Sequence, residues 1–286
     1  MFVSLVGCGQ ENEMEGEVPS ISIGQVFTDD DPNSGMANEA FRLALEAYIG
    51  IPVVEIEGVS YLVGVEAMRA GNLDIMFASA FNFVRAQEVV PVEILATLSN
   101  PEIEPAHTVF ITHINREDIN SIEDLRGQTF AFVDAASTSG YLFPKYHLVT
   151  NLNLDQNLVM QPGYFFSSAV FSGGHDSSLM GVNFGDFDGA AVVTTVLEMM
   201  FEAGVVSEED IKIIGETEPA PDASYIIRSE LPQEIIDDIR SFFLTFDDAD
   251  YFKQAWGNSN VRFIEGDEEA TRHVQSLMDT LEFNFE

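Results

Sequence analysis

The sequence predicts an α/β protein of two lobes, each a mostly parallel sheet flanked by helices, with a two-strand hinge between them. Three observations carry this. Short apolar runs alternate with helical periodicity, the βαβ pattern of a parallel sheet covered by helices. The 286 residues are long for one compact core and comfortable for two. Two further apolar runs, 107–112 and 224–228, sit where one βαβ series stops and the chain changes direction, as expected if it crosses between lobes twice.

In chain order, 20–26 reads as a strand and 37–48 as a helix, with Phe41, Leu45 and Tyr48 at helical spacing. Strands follow at 52–56, 73–78 and 93–97, with helices beginning near Tyr61 and Phe81 between them. A second series runs from 129 to 214, with strands at 129–133, 189–193 and 211–214. The tail is helical at 233–246, 251–256 and 268–281. The expected organisation is a leader and acidic tether at 1–19, the first part of lobe one at 20–106, lobe two at 107–223, and a return to lobe one with C-terminal helices at 224–286. No solenoid-type repeat is visible.

Composition excludes whole classes of function. Hydrophobic content of 46% with 11% aromatics is that of a folded globular chain. Twelve basic residues against 48 acidic ones leave a net charge of −36. Nucleic acid is therefore excluded as a partner, because binding its backbone needs clustered Lys and Arg, and lysine occurs only at 145, 212 and 253. Such a surface also repels small anions at long range, although salt screens this beyond about 8 Å. Any anion must be held by local donors.

The stretch 125–144, LRGQTFAFVDAASTSGYLFP, supplies such donors. It reads as a buried strand, a tight turn and a helix opened by three consecutive hydroxyl residues, Ser137, Thr138 and Ser139. A helix start presents unpaired N–H groups and the positive end of the macrodipole, and Ser and Thr hydroxyls can close around a tetrahedral oxyanion. An ordinary N-cap needs only one hydroxyl. Gly140 is expected to let the backbone approach the bound group. Ligands of open α/β sheets lie at the carboxyl ends of strands, where this triplet falls, and hinge closure would trap one between the lobes.

This segment resembles the signature of the phosphonate- and phosphite-binding proteins of ABC importers. FSGGHDSSLMGV at 171–182 resembles that family's second signature, and YLVGVEAMRAGNLDIMF at 61–77 its first-lobe segment, in the same order and spacing. The resemblance implies the two-lobed periplasmic-binding-protein fold and capture of a phosphonate, phosphite or phosphate for delivery to a permease. It implies that Ser137, Thr138 and Ser139 donate to the phosphonyl oxygens. It implies that His175 adds a donor from the opposite side, charge-assisted if protonated, and that the Tyr61 hydroxyl reaches across on closure. Asp222 matches an acidic position that faces the amino group in aminoalkylphosphonate binders; a solvated Asp in a Pro-rich turn accounts for it equally well.

Two departures bear on the ligand. Where the family places an aromatic contact at the first crossing, this chain has Pro105, Ala106, His107 and Thr108, so His107 is the candidate replacement. Where aminoalkylphosphonate binders carry a second acidic residue, it has Thr195. Loss of that carboxylate favours an oxyanion with little or no amino substituent.

No cofactor or metal is expected: the five histidines are scattered, with neither Cys partners nor HExxH spacing. Ser137, His175 and Asp176 or Asp222 include the residue types of a hydrolytic triad, but the Gly-x-Ser-x-Gly elbow is missing. A solute-binding role is expected in preference to a hydrolase, with a sensor lobe for the same ligand as the alternative and a monomer as the functional unit. The single cysteine, Cys8, follows Leu5, Val6 and Gly7 in the pattern of a bacterial lipobox, and an acidic run follows it. An extracytoplasmic protein held at the membrane by lipid on Cys8 is expected, although 1–5 lack the basic region and the apolar run of about 7–15 residues that a full signal carries.

Overall fold

The computed structural model describes residues 18–24, 32–56, 61–100, 102, 105–266 and 268–283. The first series builds β1 (Ile21–Gly24), α1 (Pro32–Ile49), β2 (Val53–Ile56), α2 (Tyr61–Arg69), β3 (Ile75–Ala78), α3 (Ala80–Val89) and β4 (Val92–Ser99). The second builds β5 (His107–His113), β6 (Thr129–Phe132), α4 (Phe143–Asn151), β7 (Ser168–Phe171), α5 (His175–Phe184), β8 (Gly189–Val193), α6 (Thr194–Glu202) and β9 (Ile211–Pro219). The tail adds β10 (Ser224–Arg228), α7 (Gln233–Thr245), α8 (Ala249–Trp256), β11 (Arg262–Ile264) and α9 (Glu268–Thr280).

These strands form two sheets, one ordered β11-β4-β10-β3-β1-β2 and the other β7-β6-β8-β5-β9. β3 and β8 lie inside their sheets with every residue buried, which explains their unbroken apolar sequences IMFA and GAAVV. Both sheets are mixed, which corrects the expectation of mostly parallel ones. Strands joined by helical crossovers do run parallel, β1 with β2 and β6 with β7. β10 enters the first sheet directly from β9 and lies antiparallel to β3 and β4. β5 enters the second directly from β4 and lies antiparallel to β8 and β9. A strand that arrives from the other sheet has no helix to turn it round.

The two crossing segments are laced together by hydroxyl groups. Thr97 Oγ1 and Ser224 Oγ are 2.9 Å apart, and the Ser99 hydroxyl donates to Asp222 Oδ2 at 2.7 Å. Further along, Thr108 N–H donates to Thr217 Oγ1 at 3.1 Å, beside the Ala220 N–H to Ala106 carbonyl bond at 2.8 Å.

Behind the first sheet, Phe41 is fully buried and stacks on Tyr251 with centroids 5.0 Å apart, among Phe243, Phe246 and Phe263. The second core is shared between the sheets. Phe81 and Val84 of α3, Val274, Leu277 and Met278 of α9 and Leu281 just beyond it bury their side chains with Phe130, Phe143 and Phe166. α3 and α9 thus seat helices of the first series and the tail on the second sheet, and α3 is thereby aimed at the turn after β6.

Candidate functional site

The turn after β6 is not the plain α-helix start expected from the sequence. Residues Thr138–Leu142 form one π-turn that runs into α4, with Leu142 N–H donating to the Ser137 carbonyl at 3.0 Å. Pro144 explains part of this. It has no N–H to offer the Gly140 carbonyl, which instead accepts from Val133 N–H at 3.0 Å and ties the turn to the end of β6. Widened single turns of this kind recur at functional sites. Gly140 has a packing role in the turn besides the one expected. A Cβ there would lie 2.3 Å from Val133 Cβ, so the glycine allows the turn to pack on its own strand.

Each hydroxyl of the triplet accepts a hydrogen bond from a fixed N–H. Ser137 Oγ caps the turn by accepting from Gly140 N–H at 2.9 Å. Thr138 Oγ1 accepts from Phe81 N–H, in the first turn of α3, at 2.8 Å. Ser139 Oγ lies 3.0 Å from His175 Nε2, and His175 Nδ1 accepts from Val193 N–H at 3.1 Å. Because Nδ1 must offer a lone pair to that amide, the ring proton sits on Nε2 and is donated to Ser139. The consequence is common to all three. Every hydroxyl oxygen is already an acceptor, and among the described residues none of the three hydroxyl protons has an acceptor. Ser137 and Thr138 are buried, and a buried donor left unmade costs about 1–3 kcal/mol. A bound oxyanion would remove that cost. The N–H groups of Thr138 and Ser139 add to it, since the first amides of a helix have no acceptor one turn back.

His175 opens α5 at the top of the second sheet, the same sheet that carries the triplet. Burial pushes its pKa down to about 4, and protonation would break its bond from Val193. The ring is therefore neutral on Ser139, so the contact expected to be charge-assisted if protonated takes its neutral form.

From the first sheet, α3 presents its N-terminus to the turn. Its cap, Ser79, accepts from Asn82 N–H at 3.2 Å and donates to the Ala136 carbonyl at 3.1 Å. Two helix starts thus face one another, with both dipoles favouring an anion between them. Arg85, further along α3, is within electrostatic reach of Asp134 at the end of β6, and burial lowers its pKa.

The remaining candidates are dispersed. His107 Nε2 faces Glu216 Oε2 at 3.5 Å, and its strand neighbour Thr108 is the residue that meets the triplet, donating from Oγ1 to the Ser139 carbonyl at 2.7 Å. Asp222 is solvent-accessible and accepts from Ser99, while desolvation by its surroundings raises its pKa. Thr195 is exposed in the first turn of α6. α2 begins at Tyr61, whose side chain, like the whole of Cys8, lies outside the described residues. Sequence reasoning missed Thr108, Ser79, Arg85 and the Val193 amide. The SAFN start of α3 marks Ser79 as a cap, but no local signal foretells its bond to Ala136.

Two mixed sheets, joined by a doubled crossing and carrying facing helix starts beside it, define a periplasmic-binding-protein fold. The chain belongs to the phosphonate periplasmic substrate-binding proteins of ABC transporters, whose family model matches residues 26–270. It is similar to the phosphate-import protein PhnD of Mycolicibacterium smegmatis, 24% identical over 93% of this chain and 88% of that one. It is also 24% identical to a probable ABC transporter phosphite-binding protein, PhnD1, of Prochlorococcus marinus, over 86% of each chain. The structure of that PhnD1 in complex with methylphosphonate superposes with a TM-score of 0.77 at 21% identity, covering 92% of this chain and 98% of the other. The family is a solute-binding component of transporters that works outside the cytoplasm. Among the described residues, no helix is long and apolar enough to cross a membrane.

Proposed function

We propose that the protein captures a small phosphorus oxyanion, phosphite, methylphosphonate or phosphate, between two lobes and delivers it to an ABC permease from a lipid anchor on Cys8. One observation carries the ligand class: three adjacent hydroxyls, each accepting from a fixed N–H, leave three protons for one tetrahedral anion. Ser137, Thr138 and Ser139 hold the oxyanion and His175 acts through Ser139. Tyr61, Asp222 and His107 are the further ligand contacts that the family resemblance implies. The lobes correspond to 20–106 with 224–286, and 107–223, and hinge at the laced crossings. Catalysis is not part of this role. In a hydrolytic triad the histidine Nδ1 donates to a carboxylate, whereas here it accepts from a backbone amide.

A thermal-shift screen of phosphate, phosphite, methylphosphonate, 2-aminoethylphosphonate, sulfate and taurine tests the ligand class. Ligand at 100 times its Kd adds about 2.7 kcal/mol of stability, a visible shift. Phosphite or methylphosphonate should bind more tightly than 2-aminoethylphosphonate, because Thr195 offers no charge to an enclosed ammonium. Thr195→Glu should narrow or reverse that order, and a wild-type preference for the amine by more than about tenfold (~1.4 kcal/mol) would refute the assignment. For the anchor, a full-length precursor should partition into detergent and its Cys8→Ser variant should not; an unmodified Cys8 in the mature wild type would refute it.

A further inference from the structure

We infer that Thr108 is a positioning residue for the oxyanion site, coupling both hinge crossings to Ser139. This rests on the proposal that the triplet holds an oxyanion. Thr108 is fully buried on β5, the strand that enters the second sheet from the first crossing. Its amide donates to Thr217 Oγ1 on β9, the strand that leaves for the second crossing, and its hydroxyl donates to the Ser139 carbonyl at 2.7 Å. Directly opposite Thr108 in the sheet lies Val193, whose amide fixes His175, which in turn donates to Ser139 Oγ. The four residues close a ring: Thr108, Ser139, His175, Val193 and back to Thr108 across the β5–β8 ladder.

Ser139 is the member of the triplet whose carbonyl is held by a side chain, and the grips on its carbonyl and its hydroxyl both end on one pair of facing strand residues. The peptide plane and the hydroxyl therefore cannot turn independently. A shift of β5 relative to β9 moves Thr108, and with it the direction in which Ser139 offers its proton. β5 and β9 are also the strands that bend when the lobes close about the crossings. Thr108 thus makes the aim of the anion donor depend on the hinge, without itself touching the anion. His107, one residue earlier, faces the other side of the strand, toward Glu216, and takes no part.

The test is calorimetric titration of methylphosphonate and phosphite into the wild type, Thr108→Val, Thr108→Ser, Ser139→Ala and the Thr108→Val/Ser139→Ala double variant, with the urea midpoint of each unliganded protein. Thr108→Val should weaken binding about tenfold, the worth of one mis-aimed hydrogen bond, and Thr108→Ser should restore it. In the Ser139→Ala background the same change should cost less than about threefold, because the group it positions is gone. If Thr108→Val does not fold, Thr108→Ala, which leaves room for a water at the Ser139 carbonyl, carries the same expectations. A lowered urea midpoint with unchanged affinity, or an equal loss in both backgrounds, overturns the coupling alone. A wild type that binds neither anion overturns the ligand proposal and the coupling with it.

Discussion

The two faces of the cleft are built on opposite plans. On the second sheet, every functional group is pinned before a ligand arrives: Ser137 by its own turn, Ser139 by His175 and Thr108, and His175 by Val193. On the first sheet, the contribution is mostly backbone, the start of α3 with Phe81 N–H on Thr138 and Ser79 on Ala136. On the proposed reading, one face recognises and the other closes. Preorganised donors cost no ordering when the anion binds, whereas the start of α3 supplies dipole and amide without adding specificity.

If this division holds, disabling the recognising face should have the largest effect. Ser139→Ala removes a half-buried donor to a charged group, worth roughly 1.5–3 kcal/mol, so affinity for methylphosphonate should fall about 10- to 100-fold while the fold survives. Calorimetry showing unchanged affinity would place the anion elsewhere.

The pH dependence of stability sharpens the same face. His175 is held neutral, with its pKa lowered by burial to about 4, whereas in the unfolded chain it titrates near about 6.5. Between these values the unfolded state binds the extra proton, so stability is fully present above about 6.5 and is lost as pH falls toward about 4, by up to about 1.4 kcal/mol per unit. Urea titrations at several pH values should show this loss in the wild type and a smaller one in His175→Gln. Identical slopes would mean that the ring is not held neutral in the native protein.

The closing face should respond least. Ser79→Ala removes a cap and one bond to the recognising face, and should cost about 1 kcal/mol of stability with an affinity loss of only a few-fold. Small-angle scattering should show a more open unliganded protein. An affinity loss as large as that of Ser139→Ala would erase the distinction between the two faces.

What was legible in the sequence follows the same division. The triplet, its strand and the helix after it are local, so composition and order alone point to the residues proposed to recognise the anion. Most strands and helices were visible for the same reason, but β7 and β11 were not, because Ser168–Phe171 and Arg262–Ile264 are short edge pieces defined by their neighbours. The partners of the triplet are a different matter. Phe81 is 57 residues from Thr138, His175 is 36 from Ser139, and Thr108 is 31 from Ser139. At the first crossing the sequence offers His107 in place of the family's aromatic contact, whereas strand alternation turns His107 toward Glu216 and its neighbour Thr108 toward Ser139. Gly140 shows the same limit, since its close contact with Val133 is one no local pattern foretells.

The central claim is that the oxyanion lies on the hydroxyl triplet between two helix starts. A crystal structure of the protein with methylphosphonate tests it most directly. The account predicts phosphonyl oxygens about 2.5–3.0 Å from the hydroxyls of Ser137, Thr138 and Ser139, with His175 Nε2 still on Ser139. Methylphosphonate bound away from a triplet whose three hydroxyls remain without an acceptor would contradict it.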